Sequence, residues 1–151
     1  MLNTNKFREA AMHYEEFGTY TKYPKNSRSY LKFWKEEKKK CIEGYTASDG
    51  DFITGYHYFY LNYCPIYVVV PQLDSEGNIV YGDDGRIKGK REKKFPKFWD
   101  GDWQYFNYLE EAEKHGKHAV VLKTRGRGYS FKGAAMLNRN YFLIQIGRAH
   151  V

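Results

Sequence analysis

The feature that most constrains the fold is a basic, glycine-containing segment between two apolar runs, Lys123-Thr124-Arg125-Gly126-Arg127-Gly128-Tyr129-Ser130. The run before it, residues 118–124, predicts a β-strand, and the run after it, residues 130–137, predicts an α-helix. Backbone N–H groups at a helix start attract anions, and glycines let the chain approach an anion without a Cβ in the way. The order of strand, loop and helix therefore predicts a phosphate-binding loop at the opening of an α/β sheet.

The side chains of this segment suit a polyphosphate. Lys123, Arg125 and Arg127 would neutralise phosphate charge, and Ser130 would offer a hydroxyl to Mg²⁺. The common pattern G-x-x-x-x-G-K-[ST] is missing, because Tyr129 stands where the lysine normally precedes the hydroxyl residue. From the residues alone, a nucleotide loop, a loop for another anion or nucleic acid, and a structural glycine turn all stay open.

The rest of the chain predicts helices and a small hairpin, from apolar periodicity and capping residues. The predicted elements before the loop are a helix capped by Thr4 or Asn5 that runs to Phe17, a helix capped by Ser27 that ends at Glu43, a buried or interfacial helix over 52–62 with a strand as the alternative, a strand over 66–70, a hairpin over 78–90 with its turn at 83–85, and a helix over 103–115 capped by residues 100–102. After the loop and its helix, a turn at 138–140 leads to a second strand over 141–144.

Two sets of side chains carry expectations about burial. In the helix after Ser27, an apolar stripe is expected to be buried and the charged run 35–40 to be solvated. The stripe consists of Tyr30, Leu31, Phe33, Trp34, Cys41 and Ile42. His57 lies in an aromatic run without a nearby carboxylate or cysteine, so we expect a packed, hydrogen-bonded core histidine.

Composition narrows the partners but not the fold. A net charge of +7 favours anionic partners such as DNA or nucleotides. The 15 Tyr, 10 Phe and 3 Trp suit a core, a protein interface or a base-stacking surface equally well. Cys41 and Cys64 form no metal or disulfide pattern. The N-terminus lacks a signal-peptide core, and the longest apolar run, residues 65–70, is too short to span a bilayer, so we expect neither secretion nor a membrane span.

The loop resembles the deviant Walker A segment of the large terminase subunits of tailed phages, in which the lysine stands at the start of the loop. The stretches 55–66 and 95–100 are also similar to that family, and the resemblance covers most of residues 44–145. It implies that Lys123 is the displaced phosphate lysine, Gly128 the close-approach glycine and Ser130 the magnesium ligand, with Arg125 or Arg127 sharing the role of the lysine.

The resemblance also implies ligands and partners. ATP and Mg²⁺ would be the cofactors, with Trp103 and Gln104 as adenine-binding candidates, although Trp103 suits a core anchor equally well. The catalytic acidic residues of the family belong to later strands, so none is assigned here. The implied partners of the full-length ring are double-stranded DNA, the portal protein and the small terminase subunit, in the host cytoplasm and transiently on the procapsid.

The predicted organisation is α/β. It comprises an N-terminal helical region (1–62), a β-hairpin region (63–94), the start of a truncated P-loop ATPase domain (95–145) and a tail (146–151). The tail Ile-Gly-Arg-Ala-His-Val is spelled by ATC GGA AGA GCA CAC GTC, which looks like a sequencing adapter read in frame. We therefore expect the natural sequence to depart from this chain near Gln145. We also expect the fragment, without the later catalytic strands and the nuclease domain, to lack ATP turnover.

Two other functions stay open from the residues. One is a non-enzymatic nucleic-acid-binding module, in which Arg125, Arg127, Lys132 and the basic hairpin hold phosphates while Tyr and Trp stack on bases. The other is a structural or interaction protein whose aromatic helix docks on a partner.

Overall fold

The protein is described here from a computed structural model, in residues 4–123 and 128–144. Its elements in chain order are a 3₁₀ helix Thr4–Phe7, α1 Glu9–Phe17, α2 Arg28–Glu43, β1 Tyr45–Thr46, β2 Phe52–Ile53, α3 Gly55–Tyr63, β3 Ile66–Pro71, β4 Gly89–Lys94, α4 Asp100–Lys114 and α5 Tyr129–Leu143. β1 pairs with β2 and β3 with β4, both antiparallel. The predicted mixed α/β class is confirmed.

Helix α3 is the centre of the fold. Seven of its nine residues are buried, and helices α1, α2, α4 and α5 all pack against it. The sequence of α3 has no formal charge apart from a titratable histidine, so it can be covered on every side. Thr54 caps the helix by accepting a hydrogen bond from the His57 N–H at 3.2 Å. The predicted buried helix is confirmed, but its first two residues, Phe52–Ile53, form strand β2 ahead of this cap.

Helix α2 begins and ends where the sequence predicts. The Ser27 hydroxyl accepts from the Tyr30 N–H at 3.1 Å, and Gly44 follows the last turn. The prediction for the buried face is partly wrong, because Leu31 is 61% exposed and Ile42 is 37% exposed. Glu37, expected in solvent with the run 35–40, is only 4% exposed.

Glu37 is buried because α3 supplies donors that the sequence of α2 cannot reveal. Its carboxylate accepts from the hydroxyl of Tyr58 at 2.8 Å and from that of Tyr63 at 2.6 Å. The Lys40 ammonium, 2.6 Å away, balances the charge. Buried charges are tolerated when they are paired and hydrogen-bonded in this way.

The N-terminal segment is held to α3 by one amide side chain. Asn62 is fully buried; its Nδ2 donates to the Phe7 carbonyl at 2.9 Å, and its Oδ1 accepts from the Ala11 N–H at 3.1 Å. The sequence predicted a single helix here, but the structure has a 3₁₀ helix followed by α1. The two hydrogen bonds of Asn62 lie on either side of the junction between them. Helix α1 ends as predicted at Gly18, which is in the left-handed conformation.

The β3–β4 hairpin is longer than the predicted one. Its register runs from Ile66 opposite Lys94 to Pro71 opposite Gly89. Beyond these strands, single bridges join Leu73 to Ile79 and Tyr81 to Ile87. The predicted turn at 83–85 is confirmed within this outer part, where the Arg86 N–H donates to the Asp84 carboxylate at 3.0 Å.

Helix α4 begins at Asp100 rather than at Trp103. The predicted capping residues 100–102 therefore form its first turn, where Asp100 and Asp102 complement the helix dipole. The helix ends at Lys114, and Gly116 follows with a φ of 61°.

The two strands predicted before and after the loop, over 118–124 and 141–144, are not found in the described residues. Residues 118–123 form neither helix nor strand, and Val120 and Leu122 are 77% and 95% exposed; Thr124 lies outside the described residues. A strand needs a neighbour for its backbone groups, and neither of the two sheets described includes residues 118–123. The predicted strand 141–144 instead continues α5 through its last residue, Leu143, with Ile144 at the C-cap.

Helix α5 runs through the predicted turn 138–140 because of one tertiary contact. Arg139 is 5% exposed, and its Nε and one terminal nitrogen each donate at 2.9 Å, to the carbonyls of Cys41 and Ile42 at the end of α2. These bonds fix a helical conformation against the local turn preference. The described chain thus shows two antiparallel pairs rather than a P-loop NTPase sheet.

None of the helices within residues 4–123 and 128–144 combines the length and apolar character required to cross a lipid bilayer.

We expect Gly55→Ala to lower the free energy of unfolding by about 2 kcal/mol or more, because overpacking at rigid backbone is costly. An added Cβ would lie 2.5 Å from the Cys41 carbonyl oxygen and 2.8 Å from that of Ile42. Urea denaturation followed by circular dichroism measures the change. Gly133→Ala in α5 is the matched control, since its Cβ would meet nothing within 4 Å. Equal stability of the two variants would contradict the close approach.

Candidate functional site

A cleft of about 900 Å³ opens between the β3–β4 hairpin and the first turns of α4 and α5. In an antiparallel pair, residues directly opposite share a face. Ile66, Val68 and Val70 therefore lie on one face of the hairpin. All three line the cleft, together with Lys94, the partner of Ile66, and with Val69 and Pro71 on β3. The connection from Lys94 to Trp99 and the ring of Tyr60 on α3 complete the lining.

The described ends of the predicted phosphate loop lie at this cleft. Lys123, Gly128 and Tyr129 line it, and Ser130 is exposed in the first turn of α5. The other four predicted loop residues, Thr124, Arg125, Gly126 and Arg127, lie outside the described residues.

Gly128 is the N-cap of α5 and has a φ of 69°. A Cβ there would meet nothing within 4 Å, so glycine is favoured by backbone conformation and not by crowding. The N–H groups of Phe131 and Lys132 bond back to the Gly128 carbonyl at 3.0 and 3.3 Å. Gly128 offers no side chain to cap the helix, and the positive end of the helix dipole lies at this cleft-lining residue.

Two lysines meet around Tyr129. The ammonium of Lys132 lies 4.2 Å from the centroid of its ring, and that of Lys123 lies 5.9 Å away. Lys132 is buried and forms an ion pair of 2.5 Å with Asp102 in the first turn of α4. Two cations thus lie near the Tyr129 ring at the start of α5, and all three residues line the cleft.

The wider lining is also positively charged. Its basic residues are Arg8, Lys94, Lys97, Lys123 and Lys132. The carboxylates on the lining are each paired with one of these cations, Glu15 with Arg8 at 3.6 Å and Asp102 with Lys132. A surplus of positive charge in a concave site with apolar walls favours an anionic ligand that also carries apolar surface.

The predicted adenine residues lie elsewhere on α4. The indole N–H of Trp103 donates to the Phe52 carbonyl at 2.9 Å, which joins α4 to β2. Gln104 is exposed, and neither residue lines the cleft. Trp99, which is 64% exposed, does line it. The structure therefore does not bring Trp103 and Gln104 together with Lys123, and their adenine role stays a prediction.

The predicted magnesium ligand, Ser130, has few potential co-ligands. No group of three or more His, Cys, Asp or Glu side chains in the described part of the chain is arranged to hold a metal ion. Magnesium that arrives with phosphates keeps most of its waters and needs only one or two protein ligands. A single hydroxyl at the start of α5 fits that requirement.

His57 is fully buried in the core. Its ring stacks against Phe98 and Phe106, with centroids 5.1 Å from each. Packing is confirmed, but the predicted hydrogen bond is not found: neither ring nitrogen has a partner within the described residues. Burial lowers the pKa of His57 to about 3, and the positive charge of Lys132 acts in the same direction.

Sequence reasoning missed the cleft wall and the partner of Lys132. The alternation of Ile66, Val68 and Val70 with the more exposed Tyr67 and Val69 was the available signal for a strand with one covered face, and Val69 lines the cleft as well. Nothing in the sequence pairs Asp102 with Lys132, since they are thirty positions apart on different helices.

No protein-family model matches the chain, and neither a curated protein nor a solved structure matches it.

We expect His57 to make the protein less stable at acidic pH. The pKa is about 3 in the folded protein, below the usual 6.5, so the unfolded chain binds the proton first as pH falls. The free energy of unfolding should therefore fall below about pH 6.5, by up to about 1.4 kcal/mol per pH unit from this group.

His57→Leu removes this titration, so the difference in unfolding free energy between the variant and the wild type should shift in favour of the variant between pH 7 and pH 4. Denaturant melts at each pH measure it. His118→Gln, at an exposed position, is the control and should follow the wild type. Parallel pH profiles for wild type and His57→Leu would contradict the assignment.

Proposed function

We propose that the cleft binds the triphosphate of ATP with Mg²⁺ through residues 123–130, and that the chain is part of a DNA-packaging motor ATPase of the large terminase kind. The observation that carries the proposal is that Lys123, Lys132 and Gly128, the N-cap of α5, line one basic cleft, with both ammonium groups near the Tyr129 ring. The order of the loop residues supports the family, and the geometry supports an anionic ligand.

Each described residue has a definite task in this proposal. Lys123 and the first N–H groups of α5 bind phosphate oxygens, because both present positive charge to the same point. Ser130 supplies a hydroxyl to the Mg²⁺ that accompanies the phosphates. The apolar wall of β3 keeps water from one side of the cleft, which strengthens these electrostatic contacts. ATP itself supplies the transferable phosphoryl group.

The partners follow from the resemblance. In the motor, double-stranded DNA would be moved into a procapsid by a ring of subunits that bind the portal protein and the small terminase subunit, in the host cytoplasm. The net charge of +7 supports contact with DNA.

We expect Lys123→Ala to weaken ATP binding by roughly tenfold or more, since a hydrogen bond to a charged group contributes about 1.5–3 kcal/mol. Ser130→Ala should weaken binding by a smaller factor and only when Mg²⁺ is present, because its hydroxyl would act on the metal. Isothermal titration of the 151-residue chain with ATP, with and without Mg²⁺, measures both effects.

Lys117→Ala is the matched control, because this exposed lysine carries the same charge but does not line the cleft. Unchanged affinity in Lys123→Ala, or the same loss in Lys117→Ala, would reject the site. A Ser130→Ala effect of equal size without Mg²⁺ would reject the metal role alone.

The second candidate function, a non-enzymatic nucleic-acid-binding module, is favoured by the outer face of the hairpin. Tyr67 is 59% exposed and stands opposite Lys93, whose ammonium lies 5.7 Å from its ring centroid. Arg91, two residues along on the same face, is exposed as well. An aromatic ring beside two cations offers stacking and phosphate contacts together.

If this module is the function, the double change Arg91→Ala and Lys93→Ala should weaken binding to a DNA oligonucleotide about tenfold at low salt. It should also reduce the salt dependence by about two counterions. Fluorescence anisotropy over a series of salt concentrations measures both. Lys35→Ala with Lys38→Ala on α2 removes the same charge from an exposed surface. Equal losses of DNA affinity in the two double variants would indicate nonspecific electrostatic attraction and would reject the outer face of the hairpin as the binding surface.

A further inference from the structure

The ion pair between Asp102 and Lys132 lies inside the candidate cleft. Lys132 is 4% exposed and Asp102 is 9% exposed, and their charged atoms are 2.5 Å apart. Burying two charges costs about as much free energy as their attraction returns, so such a pair adds little net stability. Removing one partner is costly, because it leaves the other charge buried alone. The free energy of folding therefore does not explain why this ion pair is buried in the cleft.

The position of Lys132 points to a ligand. Its backbone N–H bonds to the Gly128 carbonyl, so it lies in the first turn of α5, and its ammonium shares the neighbourhood of Tyr129 with that of Lys123. An anion held at the start of α5 by Lys123 would approach the ammonium of Lys132. Asp102 is the negative charge that stands beside this ammonium in the structure.

We propose that Lys132 is a second ligand-binding cation of the cleft and that Asp102 is its internal counterion, which a bound polyphosphate replaces. The proposal rests on the proposed function in that it takes a polyphosphate as the ligand. In the structure as described, Asp102 satisfies the charge of Lys132. When the ligand binds, its phosphate oxygens take over Lys132, and the first turn of α4 loses its link to α5. Asp102 therefore sets the affinity by competing with the ligand.

If Asp102 competes with the ligand, removing its charge should change stability and polyphosphate affinity in opposite directions. Asp102→Asn keeps the shape of the side chain and removes its charge. The variant should be less stable without ligand, because Lys132 is then buried without its counterion. It should nevertheless bind polyphosphate more tightly, because the competitor is gone. A structural pair would lose stability and affinity together.

The experiment titrates the whole chain with inorganic tripolyphosphate and, separately, with ATP, at constant ionic strength so that screening is the same throughout. Affinity is read by calorimetry, and stability by thermal unfolding. The variants are Asp102→Asn, Lys132→Met and the two combined. Asp100→Asn is the control, since it removes an exposed carboxylate from the same first turn of α4.

We expect Asp102→Asn to unfold at a lower temperature without ligand and to bind tripolyphosphate about threefold to tenfold more tightly than wild type. Lys132→Met should bind about tenfold more weakly. The combined variant should recover stability relative to Asp102→Asn but bind as weakly as Lys132→Met. This is the pattern of two coupled positions in a double-mutant cycle. Asp100→Asn should bind as the wild type does.

Tripolyphosphate binding by Asp102→Asn that is no tighter than binding by Asp100→Asn would overturn the proposal. If Asp102→Asn does not fold, Lys132→Met decides, and an unchanged affinity in that variant would overturn it. If tripolyphosphate gives the expected pattern but ATP does not bind, the nucleotide function is rejected. The competition between Asp102 and phosphate for Lys132 then still stands. No binding of tripolyphosphate to any variant would reject both.

Discussion

The structure depends on the close approach of two helix ends. The carbonyls of Cys41 and Ile42 at the end of α2 lie against Gly55 at the start of α3, where a methyl group would not fit. The same two carbonyls accept hydrogen bonds from Arg139 on α5. Helix C-terminal carbonyls otherwise lack partners within their own helix, so one guanidinium satisfies them and ties a third helix to the junction. The places of α2, α3 and α5 are thereby set together.

Buried polar groups attach the other elements to the same helix. Asn62 holds the N-terminal segment, and Tyr58 and Tyr63 hold Glu37 of α2. An apolar surface alone permits many packing arrangements, whereas a buried polar group must meet its particular partner. The uncharged, tyrosine-rich sequence of α3 is thus suited to its central place, because its hydroxyls reach outward from the core to neighbours on several sides.

The sequence predicted the features that local chemistry decides. Caps and stops such as Ser27 and Gly18 mark their helices correctly, and the chargeless run gives the buried α3. Predictions failed where distant residues decide. Arg139 turns a predicted turn into helix through contacts with α2, and Glu37 is buried because of donors on α3. An apolar run such as 118–123 becomes a strand only if a neighbouring strand pairs with it. The local sequence does not show whether such a neighbour exists.

In the candidate site, too, local sequence indicated some features and distant residues decide the others. The loop composition directed attention to Lys123 and Gly128, and both residues line one cleft. The alternation along β3 indicated a strand with one covered face, but only the tertiary structure shows that this strand lines a cleft. The pairing of Lys132 with Asp102 could not be derived from spacing. The Trp103 indole bonds to β2 and does not line the cleft, so the adenine role that the resemblance implies stays a prediction.

Tyr56 has a consequence for how the cleft would deform. Its hydroxyl donates to Glu113 of α4 at 2.8 Å and accepts from Asn140 of α5 at 3.2 Å, while Arg139 lies over its ring. One phenol therefore braces the far ends of the two helices whose first turns border the cleft. The hairpin opposite is a two-stranded ribbon that joins the helices through short connections at its base. Because the phenol ties the two helices to each other, we expect a ligand that draws the cleft closed to bend the ribbon toward the helices rather than to separate α4 from α5.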